Sequence, residues 1–228
     1  AELGPQVSRA ERPGAGDDTR PWGPPFLKDA EGRDTAEAGY YLAVNRGKQS
    51  NTVSLDHPDG QKVVRELAAN ADIVLENFKA GTLARYGLDA ASLRAINPKL
   101  IYCSVTGFGQ TGPRRDQPAY DFLIQAMGGL MSVTGERDGL PGGGPQKVGV
   151  PIVDLMTGMY TAVAVLAAVA RRDQTGQGET IDIGMLDVQV ATLANQAMNY
   201  LVSDKVPQRN GNAHPNIQPQ DVFRCNDG

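Results

Sequence analysis

The sequence has little of what metal, disulfide or histidine chemistry requires. Cysteine occurs twice in 228 residues, at Cys103 and Cys225, with no metal-ligand spacing, so no metal is expected and both thiols read as packing residues. With no secretory leader in the sequence, a reducing, cytoplasmic location is expected. The two histidines, His57 and His214, stand far apart and read as surface residues, which leaves a Ser-His-Asp or metallohydrolase scheme without support. An excess of positive charge is also missing. A net charge of −4 gives no electrostatic case for nucleic acid or an anionic membrane as partner. No stretch reads as long and apolar enough to span a bilayer. The run at residues 159–170 is followed at once by Arg171, Arg172 and Asp173, so it is expected to be a buried core helix.

What is present is an ordinary apolar fraction of 40%, enough for one substantial core or one domain plus part of another. Short apolar runs at residues 6–10, 52–55, 73–75, 100–105, 148–153 and 180–183 read as strands. Helical patterns occupy 58–69, 90–96, 120–131, 159–170 and 186–200, with a helical turn at 81–86. Residues 31–38 read as a surface connection and 40–44 as a short apolar element. Strands alternating with helices predict an α/β fold, doubly wound, with a mostly parallel, Rossmann-like sheet flanked by helices. Residues 1–200 are expected to form one large domain. Residues 201–228, with Pro207, Pro215 and Pro219, read as a linker and the start of a smaller domain. Residues 1–3 read as the tail of a helix, ahead of a turn at Gly4, and the chain is expected to be a piece of a longer protein, incomplete at both ends.

The chemistry centres on KVGVPIVDLMTGMY, residues 147–160. An acid at a strand-to-helix junction, as Asp154 is read here, lies near the unpaired N–H groups and positive end of the helix. That placement favours the ionised form, which a carboxylate nucleophile needs. The same placement also describes a plain N-cap, and the stretch alone does not decide between the two roles. Other unusual loops follow strands as well: Glu76-Asn77-Phe78, and GFGQTGP at residues 107–113. In α/β folds ligands bind beyond the carboxyl ends of the strands, so a shared site is expected there. GFGQTG is neither a dinucleotide fingerprint nor a phosphate P-loop, since it lacks both spacings.

Taken in order, these stretches resemble the class III CoA-transferases, the carnitine and bile-acid CoA-transferase family. They are ERPGAGDDTR (11–20), NRGKQS (45–50), ENFKAGTLARYGL (76–88), NPKLIYCSVTGFGQTGP (97–113), PAYDFLIQAMGGLMSVTG (118–135), the run from Asp154 to Asp187, and the closing HPNIQPQDVFRCNDG. The resemblance implies that Asp154, with Gly158 completing D-x-x-x-G, attacks an acyl-CoA thioester. An acyl-aspartyl anhydride and CoA thiolate result. The thiolate returns to give an aspartyl-CoA thioester, from which an incoming carboxylate takes the CoA. CoA is thus a substrate, and no separate cofactor is implied.

For CoA binding the resemblance points to Arg12 at the nucleotide end, Val53 and Leu55 in the stretch 53–56, Asn77, Phe78 and Arg85. Asp56 stands where some members carry a lysine. An exposed salt bridge is the plain alternative for Arg12 and Arg85. The family also contains 2-methylacyl-CoA racemases, which carry a histidine before the aspartate of PAYD. Here that residue is Tyr120, followed by Asp121. A phenol with an ordinary pKa of about 10 is poorly matched to carbon-acid exchange at neutral pH, which favours transfer over racemisation. Asp121 is expected either to assist catalysis or to start a helix. The stretches GDDTRPWGPPF and YYLAVNR look closest to the branch acting on short dicarboxylates, such as succinyl-CoA to glutarate transferases. The resemblance further implies an interlocked homodimer of the full-length protein. A chain that binds CoA or scaffolds a dimer without turnover is the alternative of a different class.

Overall fold

The computed structural model describes residues 4 and 6–227, so the helix tail expected at residues 1–3 lies outside it. Two parallel ladders carry the fold. β1 (Val7–Glu11) pairs with β4 (Lys48–Thr52), Glu11 standing opposite Thr52. β5 (Ile73–Glu76), β6 (Ile101–Thr106) and β7 (Thr180–Gly184) form a three-stranded parallel sheet in that order. Helices lie between these strands, as parallel connections demand: α1 (Gly39–Asn45) before β4, α2 (Pro58–Ala69) before β5, and α3 (Ala90–Ile96) before β6. Thus the expected α/β class with parallel strands flanked by helices holds, its parallel pairing divided over two ladders. An antiparallel pair, β2 (Phe26–Lys28) with β3 (Asp34–Ala38), replaces the surface connection expected over 31–38. The sequence of β3, DTAEA, has no run of large apolar residues to mark it.

Four other expectations are corrected. β4 ends at Thr52 rather than beginning there; KQSNT is exposed throughout and offers no apolar alternation. The strand expected over 148–153 is absent, because α6 (Ile152–Thr175) begins inside it. Val148, Val150, Ile152 and Val153 carry the β-branched signature of a strand, but Pro151 stands at the helix start, where its missing N–H costs nothing. The helix of 120–131 is two, α4 (Asp121–Met127) and α5 (Leu130–Val133), parted where Gly129 turns left-handed at φ 85°. The helix of 186–200 is likewise α7 (Met185–Thr192) and α8 (Asn195–Ser203), broken at Ala194.

Two apolar clusters hold the elements. Ala68, Leu83, Leu88, Leu93, Leu100 and Tyr102 join α2, α3 and β6 around the 3-10 turn Leu83–Tyr86. Ile124, Val153 and Met185, with Val105, Phe108, Ala119, Ile152 and Leu186 against them, lock α4, the start of α6 and the start of α7 onto the end of β6. The second cluster is the platform of the candidate site.

The long helix departs most from expectation. α6 runs 24 residues, and its most apolar window, of mean hydropathy 1.8, meets the length and composition of a bilayer span. Only 22% of that window is buried among the described residues, so it is not the buried helix expected from 159–170. The helix starts seven residues before that run, which is what lengthens the apolar stretch. Length and composition alone also fit a helix packed inside a protein. Of the two thiols, Cys103 is buried and Cys225 is exposed, so only the first is a packing residue.

Candidate active site

Asp154 occupies the first turn of α6, above the cluster of Ile124, Val153 and Met185. It is not the cap of its helix. Pro151 at the cap position offers no side-chain acceptor. The acceptor comes instead from Asp121, the first residue of α4. Its Oδ2 receives the N–H groups of Val153 at 2.8 Å and Asp154 at 3.3 Å. Gln125, one turn along α4, donates through Nε2 to Asp121 Oδ1 at 2.5 Å, and its Oε1 accepts the N–H of Val148 at 2.9 Å.

Electrostatics correct the expectation of a carboxylate held firmly in its ionised form. Burial first, and the charge of Asp121 second, push the Asp154 carboxyl up to about 6. More than a third of the side chain is open to solvent, yet the protein around it and a second carboxylate outweigh the helix N-terminus. At pH 7 the ionised form still predominates by about ten to one. The result is a carboxylate that is basic for its kind and still charged, the useful combination for a nucleophile.

A third group, which sequence reading missed, is influenced by both acids. Tyr40 in α1 has its hydroxyl pKa raised by burial and by the charges of Asp154 and Asp121. Its ring packs edge-on against Trp22, with centroids 5.1 Å apart. A phenol beside two carboxylates stays protonated and can donate. Nothing local in GYYLAVN announces this role; it exists only because the fold brings Tyr40 within electrostatic reach of Asp154 and Asp121. Tyr120, the N-cap residue of α4, is 71% exposed and makes no capping bond with its side chain. Gly158 would meet nothing within 4 Å if it carried a side chain, so the described residues do not require glycine there.

The residues expected to bind CoA follow the carboxyl ends of parallel strands, except Arg85, which lies in the 3-10 turn Leu83–Tyr86. Arg12 leaves β1, exposed, in a turn where its carbonyl accepts the N–H of Gly16. Val53 leaves β4 and donates its N–H to the Glu11 carbonyl at 2.9 Å, which sets it beside the start of that turn. Leu55 packs against the first cluster together with Tyr86. The Tyr86 hydroxyl donates to Asp56 at 2.8 Å, and the Arg85 guanidinium lies 5.9 Å from the Tyr86 ring centre. Asp56 and Arg85 therefore flank one ring. Asn77 leaves β5 and donates to the Val105 carbonyl at 3.1 Å, beside the platform under Asp154. Phe78 follows it with its ring partly exposed. The geometry sets Val53 beside the Arg12 turn, Leu55 and Tyr86 on one cluster with Arg85 near the Tyr86 ring, and Asn77 beside the Asp154 platform.

Close approach at one glycine sets the position of α4. A Cβ on Gly107, just past β6, would lie 2.2 Å from the Ala119 Cβ. Glycine there lets the segment leading into Tyr120 and Asp121 rest on the end of β6. Among the described residues no group of three or more metal-ligating side chains is assembled.

The sequence matches the family described as CoA-transferase family III over residues 1–228. It is 52% identical over 228 residues to the succinate–glutarate CoA-transferase of Agrobacterium fabrum, covering 100% of this chain and 56% of that one. It is 44% identical over 227 residues to the succinyl-CoA:glutarate CoA-transferase of Mus musculus, covering 100% of this chain and 50% of that one. The crystal structure of a CAIB/BAIF family protein from Brucella suis superposes with a TM-score of 0.89 at 51% identity, over 99% of this chain and 58% of that one. The chain thus spans about half the length of the curated relatives it matches. On these matches, and with the fold they share, the chain belongs to CoA-transferase family III.

Proposed function

We propose that the protein carrying this chain moves CoA from an acyl-CoA donor to a carboxylic acid, with Asp154 as the nucleophile. The observation that carries the reading is the Asp154 carboxylate, set on the first turn of α6 and poised near 6. Asp154 attacks the thioester carbonyl and expels CoA thiolate, leaving an acyl-aspartyl anhydride. The thiolate attacks the aspartyl carbonyl, releases the donor acid and forms an aspartyl-CoA thioester. The acceptor carboxylate attacks that thioester, and the same two steps in reverse give the new acyl-CoA and free Asp154. Charge develops on the thioester oxygen, so donors near it lower the barrier. Tyr40, kept protonated by burial and by the two acids, is the donor this reading assigns.

Arg12, Val53, Leu55, Asn77, Phe78 and Arg85 form the CoA site in this reading, with Arg12 and Arg85 supplying charge-assisted contacts to phosphate. CoA is the substrate and no further cofactor takes part. Short dicarboxylates serve as donor and acceptor, supported by the names of two relatives that share about half of this sequence. The large domain ends near residue 200, the full-length protein is an interlocked homodimer, and it works in the cytoplasm without a membrane or nucleic-acid partner. The test incubates full-length protein with succinyl-CoA and a panel of acids, glutarate included. New CoA thioesters are expected, together with a mass adduct on Asp154 after trapping. Full transfer activity in Asp154→Ala would sink the assignment.

A further inference from the structure

Asp121 and Gln125 lie one helical turn apart, on one face of α4. Between them they bind three backbone N–H groups, those of Val148, Val153 and Asp154, which bracket the delivery of Asp154. Gln125 is fully buried, and its amide bridges Asp121 to Val148. We propose that Asp121 and Gln125 are a pair of positioning residues that fix the loop-to-helix junction and so hold the Asp154 carboxylate in place. The proposal rests on Asp154 being the nucleophile, and it assigns Asp121 a role other than proton transfer.

Three features carry the argument. First, α6 begins with Pro151, and no local side chain is available to take its first N–H groups. A helix start without acceptors frays, and fraying here would move the nucleophile. The acceptor arrives from 32 residues away, so the helix start is only as well placed as α4. Second, both Asp121 oxygens are already engaged by donors, Oδ2 by two N–H groups and Oδ1 by Gln125. A carboxylate held in this way serves as an acceptor. Third, residues 138–144 include four glycines, so the segment approaching α6 has little stiffness of its own. Gln125 pins its exit at Val148, ahead of the helix. Two groups act electrostatically with Asp154: Asp121 from α4, whose charge opposes ionisation, and Tyr40 from α1, whose phenol is kept protonated in part by both acids.

The test uses full-length protein and two variants. Gln125→Leu keeps the volume and removes only the bridge. Amide hydrogen exchange at Val148 should quicken about tenfold or more while exchange at Val153 stays near wild type. Asp121→Asn keeps an oxygen for the Val153 N–H and removes the charge. The carboxyl-carbon NMR titration of Asp154 should then move to lower pH, and the acid limb of kcat/KM should move with it. In Gln125→Leu kcat should fall about tenfold or more with KM little changed, as misplacement of a nucleophile predicts, and in Asp121→Asn, which keeps an acceptor for the helix start, kcat should fall less. Unchanged exchange at Val148 in Gln125→Leu, or an unmoved Asp154 titration in Asp121→Asn, would overturn the proposal. Exchange and titration need no turnover, so a protein without transferase activity overturns the proposed function and still leaves these two readouts to decide this point. If Asp121→Asn does not fold, Gln125→Leu decides alone.

Discussion

Burial raises the pKa of both Glu11 and Asp154, and their charged neighbours then treat the two acids in opposite ways. Glu11, 5% exposed at the end of β1, meets the Arg20 guanidinium at 3.0 and 3.2 Å. The Tyr41 hydroxyl accepts from the same guanidinium at 2.7 Å, and the Tyr41 ring centre lies 4.1 Å from it. The hydrogen bond from Arg20 is the largest influence on Glu11 and holds its carboxyl below the ordinary 4.5, against the opposing cost of burial. Asp154 has a second carboxylate in place of the arginine, and its carboxyl rises to about 6. One acid has its charge compensated and serves to hold the chain together. The other keeps an uncompensated charge, which costs stability and leaves a reactive group. Uncompensated ionisable groups of this kind concentrate where chemistry occurs.

The largest expected effect falls on activity. In full-length protein Asp154→Ala should lower transfer on the order of 10^4-fold or more, as loss of a covalent nucleophile does elsewhere. Arg20→Met should leave the chemistry untouched at first order and act on stability. It strands the buried Glu11 charge and should cost roughly 3 kcal/mol in urea titrations at pH 7. The sign with pH follows from the lowered Glu11 pKa. Stability from this pair is present above 4.5 and is lost as pH falls through the lower folded value, so the variant and wild type should converge in acid. A loss below about 1 kcal/mol at pH 7 would place Glu11 among surface ion pairs and break the comparison.

Gly107→Ala comes next. The new methyl would overlap Ala119 and push α4 away from β6, at about 2 kcal/mol for an overpacked contact. The damage should reach Asp121 and Asp154 and spare the Glu11–Arg20 pair. Hydrogen exchange should therefore quicken at the start of α6 and stay unchanged at β1. Equal changes at both ends would show that the two regions are not independent.

These contrasts also show which parts of the structure the sequence announces. α2 and α3 run as read, because His57 with Pro58 and Asp89 supply local start signals: His57 accepts the Asp59 N–H, and Asp89 accepts that of Ser92. β6 is equally readable, since IYCSVT is almost wholly buried. Local signals fail where a distant residue decides. Residues 148–153 carry strand-like side chains, yet their geometry is set by Asp121 and Gln125 from another helix. No local signal relates Tyr40 to Asp154, because that electrostatic relation exists only in the folded chain. A motif marks Asp154, but its position at a helix N-terminus points to a lowered pKa where the fold raises it. A helix N-terminus can be inferred from sequence, whereas a neighbouring carboxylate brought in by folding cannot.

The smallest effect is the sharpest test of the comparison. A raised pKa means that, between the ordinary 3.8 and about 6, the folded chain binds more protons than the unfolded one. Asp154 therefore contributes a loss of stability as pH rises through that window, the opposite slope to Glu11. Asp154→Asn removes the titration while keeping the shape. It should raise the melting temperature slightly above pH 6 and give no such gain below pH 3.8. The gain should be modest, because solvent reaches much of the Asp154 side chain and screens its charge. Glu11→Gln, by the same logic, should lower the melting temperature at pH 7. If both amides shift stability in one direction, then burial rather than partnership governs these acids, and the contrast between a holding charge and a reactive one fails.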